Sequence, residues 1–191
     1  MRIAISGSHS LGKSTFVADF LKKHPDYAFE QEPYRALLHQ HKILFAEDQR
    51  RCDINVQLDY CIGRVNSHPA GSNVIFDRCP VDYIPYADYT AHFGHTDIDQ
   101  EFVQSLYSKI RASLVNLDLI VFTPISVEHP IELEDDGHRP IHHAYRNWVD
   151  AAFKKLYREQ LHTIFPPNKQ PKLIEIWGDR ETRLKKIAGF L

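Results

Sequence analysis

The stretch Gly7-Ser8-His9-Ser10-Leu11-Gly12-Lys13-Ser14-Thr15 constrains this chain more than any other. It fills every fixed position of G-x-x-x-x-G-K-[ST]. An apolar run at 2–6 precedes it and an amphipathic run follows from Lys13, so the motif stands between an expected strand and an expected helix. The glycines let backbone N–H groups turn inward without a Cβ in the way. The following helix aims its positive end at the same point. Together they make a cradle for phosphate oxygens, lined by residues 7–15. Lys13 is placed to reach the β- and γ-phosphates of a nucleoside triphosphate, and the Ser14 hydroxyl to sit on Mg²⁺.

The rest of the chain alternates short apolar runs with helical patterns. Strands are expected at 2–6, 27–31, 73–77, 119–123 and 173–176. Helices are expected at 13–24, 33–45, 47–67, 81–93, 97–116, 142–165 and 179–190. The stretch 97–116 is the clearest, with Ile98, Phe102, Val103, Leu106, Ile110 and Leu114 at three- and four-residue steps. Thr96 or Asp97 is its expected cap. This alternation predicts one α/β domain over 1–191, with a five-stranded parallel sheet sandwiched by helices. Residues 125–141 are irregular and rich in Glu, Asp, His and Pro. They are long for a connection in a compact domain and mark a lid at about 125–146.

Carboxylates and arginines fall at the expected strand tips. Asp77 ends the third strand beside the phosphate loop, where an open parallel sheet holds its ligands, and it can serve Mg²⁺ with Ser14. Arg78 follows and can meet the acceptor. Glu32 follows the second strand and can take a proton from an attacking hydroxyl. Arg35 lies one turn further on and can neutralise charge. In the lid, Glu134-Asp135-Asp136-Gly137-His138-Arg139 places Arg139 to close over the phosphates, and Arg146 is a second candidate.

Composition excludes several classes. The net charge is −2, so no electrostatic footprint for duplex DNA exists. No apolar run reaches the roughly 18 residues needed for a membrane span. An expected strand at residue 2 leaves no room for a signal peptide, and the odd count of three cysteines suits a reducing compartment. A cytoplasmic setting is expected. A guanine-reading N-K-x-D is broken, because Pro171 follows Asn168-Lys169-Gln170.

In order and spacing these elements resemble the P-loop kinases, among them the deoxynucleoside and thymidylate kinases. The closer resemblance is to the compact kinase-like ATPase family that includes the nicotinamide-riboside kinase domain of bacterial NAD regulators. It rests on the GxxxxGKST start, on Glu32 with Arg35, on the stretch FDRCPVDY at 76–83 and on the D-D-G-x-R at 135–139. The resemblance implies a P-loop fold, ATP with Mg²⁺ as ligand, and transfer of a γ-phosphoryl group to a small acceptor. It also implies that Gly178, Asp179 and Arg180 border the adenine.

The expected activity is therefore an ATP-dependent small-molecule kinase with a nucleoside- or nucleotide-like acceptor. The acceptor belongs between the second and third strand tips. Tyr34, Tyr83 and Tyr86 can stack on its ring there, with Arg50, Arg51, Gln57 and Arg64 as polar candidates. The alternative is a nucleotide-dependent switch, ATPase or GTPase read by a protein or lipid partner. Oligomer formation is left open.

Overall fold

The computed structural model describes residues 1–37, 40, 42–131 and 142–191. Five strands form one sheet: β1 (Arg2–Ser6), β2 (Ala28–Glu30), β3 (Val74–Asp77), β4 (Leu119–Phe122) and β5 (Lys172–Glu175). All four pairings are parallel, in the order β2-β3-β1-β4-β5. Every residue of β1, β3 and β4 is buried, which is why these strands read as continuous apolar runs.

Side chains still alternate between the two faces. Ala4, Phe76, Ile120 and Phe122 join one core with Leu58, Leu106 and Phe153. Ile3, Ile5, Ile75 and Val121 join the other with Phe16, Phe20 and Ile187. The first core is covered by α3 (Arg51–Ser67), α4 (Tyr83–Phe93), α5 (Gln100–Leu114) and α6 (His143–Arg158); the second by α1 (Lys13–Lys23) and α8 (Arg180–Ala188). Short helices α2 (Pro33–Leu37) and α7 (Leu161–Ile164) complete the described set.

Several boundaries differ from the sequence expectations. The helix expected over 33–45 ends at Leu37. Ile43 and Phe45 fold back instead onto Tyr34 in a small separate core. The helix expected from residue 47 starts at Arg51, after a 3-10 turn at Ala46–Asp48. Ala46, which opens that turn, has a φ of 53°, a conformation periodicity does not reveal. The helix at 97–116 starts later than expected, because Asp99 caps it by accepting from the Phe102 N–H at 2.8 Å. The helix at 142–165 divides into α6 and α7.

Candidate active site

The strand order reverses beside β1, so the C-terminal tips of β1 and β3 open onto one crevice. The phosphate loop fills it. Gly7, Ser10 and Gly12 have φ of 133°, 52° and 69°, so the chain turns inward three times in six residues. A Cβ on Gly7 would stand 2.6 Å from the Thr123 carbonyl oxygen, a contact only glycine avoids. Lys13 is buried, and its ammonium donates to the Ser8 carbonyl, curling over the loop. Burial, with the Arg78 charge nearby, pushes its amine down to about 7.

Asp77 Oδ2 accepts from the Ser14 hydroxyl at 2.7 Å. These are hard oxygen donors at the mouth of the loop, a set that fits Mg²⁺. The sheet register builds the next pair. Glu30 stands opposite Phe76, and two residues further along each chain Glu32 meets Arg78. Arg78 Nε donates to Glu32 Oε1 at 2.9 Å, and Arg35 Nε donates to Glu32 Oε2 at 3.3 Å.

Two clefts meet at that pair. The loop-side cleft holds about 550 Å³, counted to its open mouth, and is lined by Ser10–Thr15 of the loop with Glu32, Arg35, Asp77 and Arg78. The second holds about 490 Å³ on the same measure. Its walls are largely aromatic: Tyr34, Phe45, Tyr83, Tyr86 and Tyr145, with His9. Gln49, Gln57 and Asp82 supply polar groups, and Glu32 and Arg78 stand at the junction. Burial pushes the Tyr83 phenol well above its usual range, so it stays a hydrogen-bond donor.

The structure thus brings together Lys13, Ser14, Glu32, Arg35, Asp77, Arg78 and Tyr83. Other candidates stand apart. Arg180 turns outward onto Asp19. Asp179 caps α8 by accepting from the Thr182 N–H at 2.7 Å. It is Arg183, absent from the sequence expectations, that joins Gly178 to the loop: its Nε donates to the Gly178 carbonyl and its Nη1 to the Leu11 carbonyl, each at 2.9 Å. Arg146 donates to the Ile131 carbonyl at 2.9 Å, its own carbonyl accepts from the Ser8 hydroxyl, and it lines neither cleft. Arg50, Arg51 and Arg64 are likewise outside both clefts; Arg51 binds Asp99 and Arg64 binds Glu30. Arg139 and the acidic run before it lie outside the described residues.

Phe45, Gln49, Asp82, Tyr145 and Arg183 escaped the sequence reading. Asp82 carries one local signal, its place four residues after Arg78 on the first turn beyond β3. Arg183 carries none.

Fold and loop together define an α/β domain of the P-loop type. The family model described as "AAA domain" matches residues 2–183, and the chain belongs to that family. No curated protein matches it. Among solved structures, deoxyadenosine kinase from M. mycoides with bound dATP aligns at TM-score 0.64 and 16% identity, over 100% of this chain and 98% of that one. NadR protein in complex with NR aligns at TM-score 0.67 and 16% identity, over 99% of this chain and 51% of that one. This chain therefore spans about half of NadR. At such identities the likeness is one of fold. No helix among the described residues is long and apolar enough to cross a membrane.

Proposed function

We propose that this protein binds ATP with Mg²⁺ and transfers the γ-phosphoryl group to a small nucleoside- or nucleotide-like acceptor, residues 1–191 working as one domain. The observation that carries this reading is the pair of clefts, one phosphate-cradling and one aromatic, that meet at Glu32 and Arg78. A hydrolase or switch needs only the first. A transferase needs a second site within reach of the γ-phosphate.

The amides of the loop and the N-terminus of α1 hold the triphosphate. Lys13 exchanges the Ser8 carbonyl for phosphate oxygens. Ser14 and Asp77 would hold Mg²⁺, which would supply positive charge against the triphosphate. The aromatic walls stack the acceptor ring and exclude water. Glu32 faces both clefts and suits the role of base, while Asp77 faces only the donor side. The acceptor O–H proton passes to Glu32, the acceptor oxygen bonds to the γ-phosphorus, and the bond to the β–γ bridging oxygen breaks to leave ADP. Arg78 balances the charge of the transferring group, with Arg139 as its partner from the lid; Arg146, held in α6 away from both clefts, takes no part. Of the three residues expected at the adenine, Gly178, tied to the loop through Arg183, keeps that role, while Asp179 and Arg180 are engaged elsewhere. The support for an acceptor of this class is the solved relatives: a deoxyadenosine kinase, and a protein solved with NR.

The test is ADP release measured across nucleosides, nucleoside monophosphates and pyridine ribosides. Release that depends on one of these classes is expected. Equal release with and without every acceptor would overturn the transferase reading in favour of an ATPase.

A further inference from the structure

A third carboxylate stands behind the Glu32–Arg78 pair. Asp82 ends the 3-10 turn Pro80–Asp82 and is only 1% exposed. A buried charge persists in a fold only when it is paired and hydrogen-bonded. Its Oδ1 accepts from the Ser6 hydroxyl, and its Oδ2 from Arg78 Nη1 at 3.2 Å. Ser6 is the last residue of β1, directly before the phosphate loop, and its oxygen also lies 2.8 Å from the Tyr157 hydroxyl on α6. The carboxylate is therefore anchored to the centre of the sheet rather than to a side chain free to move.

Arg78 needs such an anchor. Its φ of 124° is rare for a residue with a Cβ, a conformation that costs about 1–3 kcal/mol and persists only where the surroundings over-determine it. Its guanidinium is gripped from two sides. Nε meets Glu32, while Nη1 meets the Gly7 carbonyl at 3.0 Å, Asp82, and the Tyr86 hydroxyl at 3.3 Å. The guanidinium carbon lies 5.4 Å from the centre of the Tyr86 ring. Among the described residues, with Asp82 removed, Glu32 is the one carboxylate left hydrogen-bonded to the guanidinium. The arginine then collapses onto the group that must stay available to the acceptor.

We propose that Asp82 is a positioning residue that holds the Arg78 guanidinium at the boundary between the two clefts. The proposal rests on the transferase reading above for its catalytic consequence, but not for its geometry. Burial raises the Asp82 carboxyl to about 6, so at neutral pH the fold carries this charge against its own stability. Such an expense suits a group retained for function.

The decisive experiment is a double-mutant cycle of Asp82→Asn with Arg78→Met, read in two ways. In turnover, Asp82→Asn is expected to lower kcat by about 10²-fold, the scale of a slight misplacement of catalytic groups, with KM for ATP nearly unchanged. On the Arg78→Met background it should cost nothing further. In NMR of ¹⁵N-arginine-labelled protein, the Arg78 Nη–H signals, assigned by their loss in Arg78→Met, should exchange with water about tenfold faster or more in Asp82→Asn, the factor for losing the Nη1–H hydrogen bond to a charged group. Wild-type kcat in Asp82→Asn, costs that multiply in the double variant, or unchanged Nη–H exchange each overturns the proposal. If the wild-type protein transfers phosphate to no acceptor, the transferase reading has failed, and the exchange measurement still decides the position of Arg78. If Asp82→Asn does not fold, Ser6→Ala removes only the hydroxyl anchoring Asp82 and should shift exchange in the same direction by less.

Discussion

Single residues in the crevice carry opposed demands. Asp82 illustrates this in a pH experiment. Its carboxyl is raised in the fold from an ordinary aspartate value to about 6. Below the ordinary value both states are protonated. Between there and pH 6 the folded state binds the extra proton, so the stability this group contributes falls as pH rises through that window. Asparagine does not titrate. The stability of Asp82→Asn relative to wild type should therefore improve by about 2–3 kcal/mol between pH 4 and pH 7. Urea melts at the two pH values check this, and a pH-independent difference would contradict it. Asp77→Asn is a second test at this scale. Loss of the carboxylate beside Ser14 should raise the Mg²⁺ concentration for half-maximal ATP turnover by about 10–100-fold. A Mg²⁺ titration of ADP release measures it.

Elements decide where those residues stand. The loop is held from outside by β4 and α8. Thr123, just after β4, leaves no room for a side chain at Gly7, and Arg183 of α8 donates to Leu11 inside the loop. Gly7→Ala combines a 2.6 Å clash with a φ of 133°, and should destabilise the fold by about 1–3 kcal/mol or more. Thermal melting reads this directly, together with loss of nucleotide binding; a variant with wild-type Tm and affinity would show that the loop can shift at no cost. The elements were legible to different degrees. Strands β1, β3 and β4 stood out because central parallel strands are apolar on both faces. The split of 33–67 into α2, a turn and α3 did not. Phe45 reads as one more apolar position of a helix, yet it stacks edge-on against Tyr34 at 4.8 Å and lines the aromatic cleft.

At the scale of the whole molecule, the proposed nucleotide site draws on parts far apart in sequence: the loop at 7–15, Asp77 at the end of β3 and, bonded to the loop, Arg183 near the end of the chain. A ligand that binds only the folded state stabilises it by about 2.7 kcal/mol at a hundredfold excess over Kd. For a domain of this size that corresponds to a Tm rise of about 5–10 °C. ATP with Mg²⁺ should produce such a shift, and Lys13→Ala should abolish most of it. Full retention of the shift in Lys13→Ala would remove the loop from the binding site altogether.

The amino-acid order by itself determined the α/β class, the phosphate loop and the strand tips where Glu32, Asp77 and Arg78 stand. These are local matters: a glycine pattern, apolar runs and residues a few positions from a strand end. Only the tertiary structure decided which of the basic residues gather. Arg78 enters both clefts while Arg180 turns away to Asp19, and Arg183 takes the place beside the loop. It also decided that a separate aromatic cleft exists and that Asp82 stands at its inner wall. The physical reason is that a side chain's partners across a parallel sheet are set by register and by crossovers tens of residues long. Neither leaves a periodic trace in the chain.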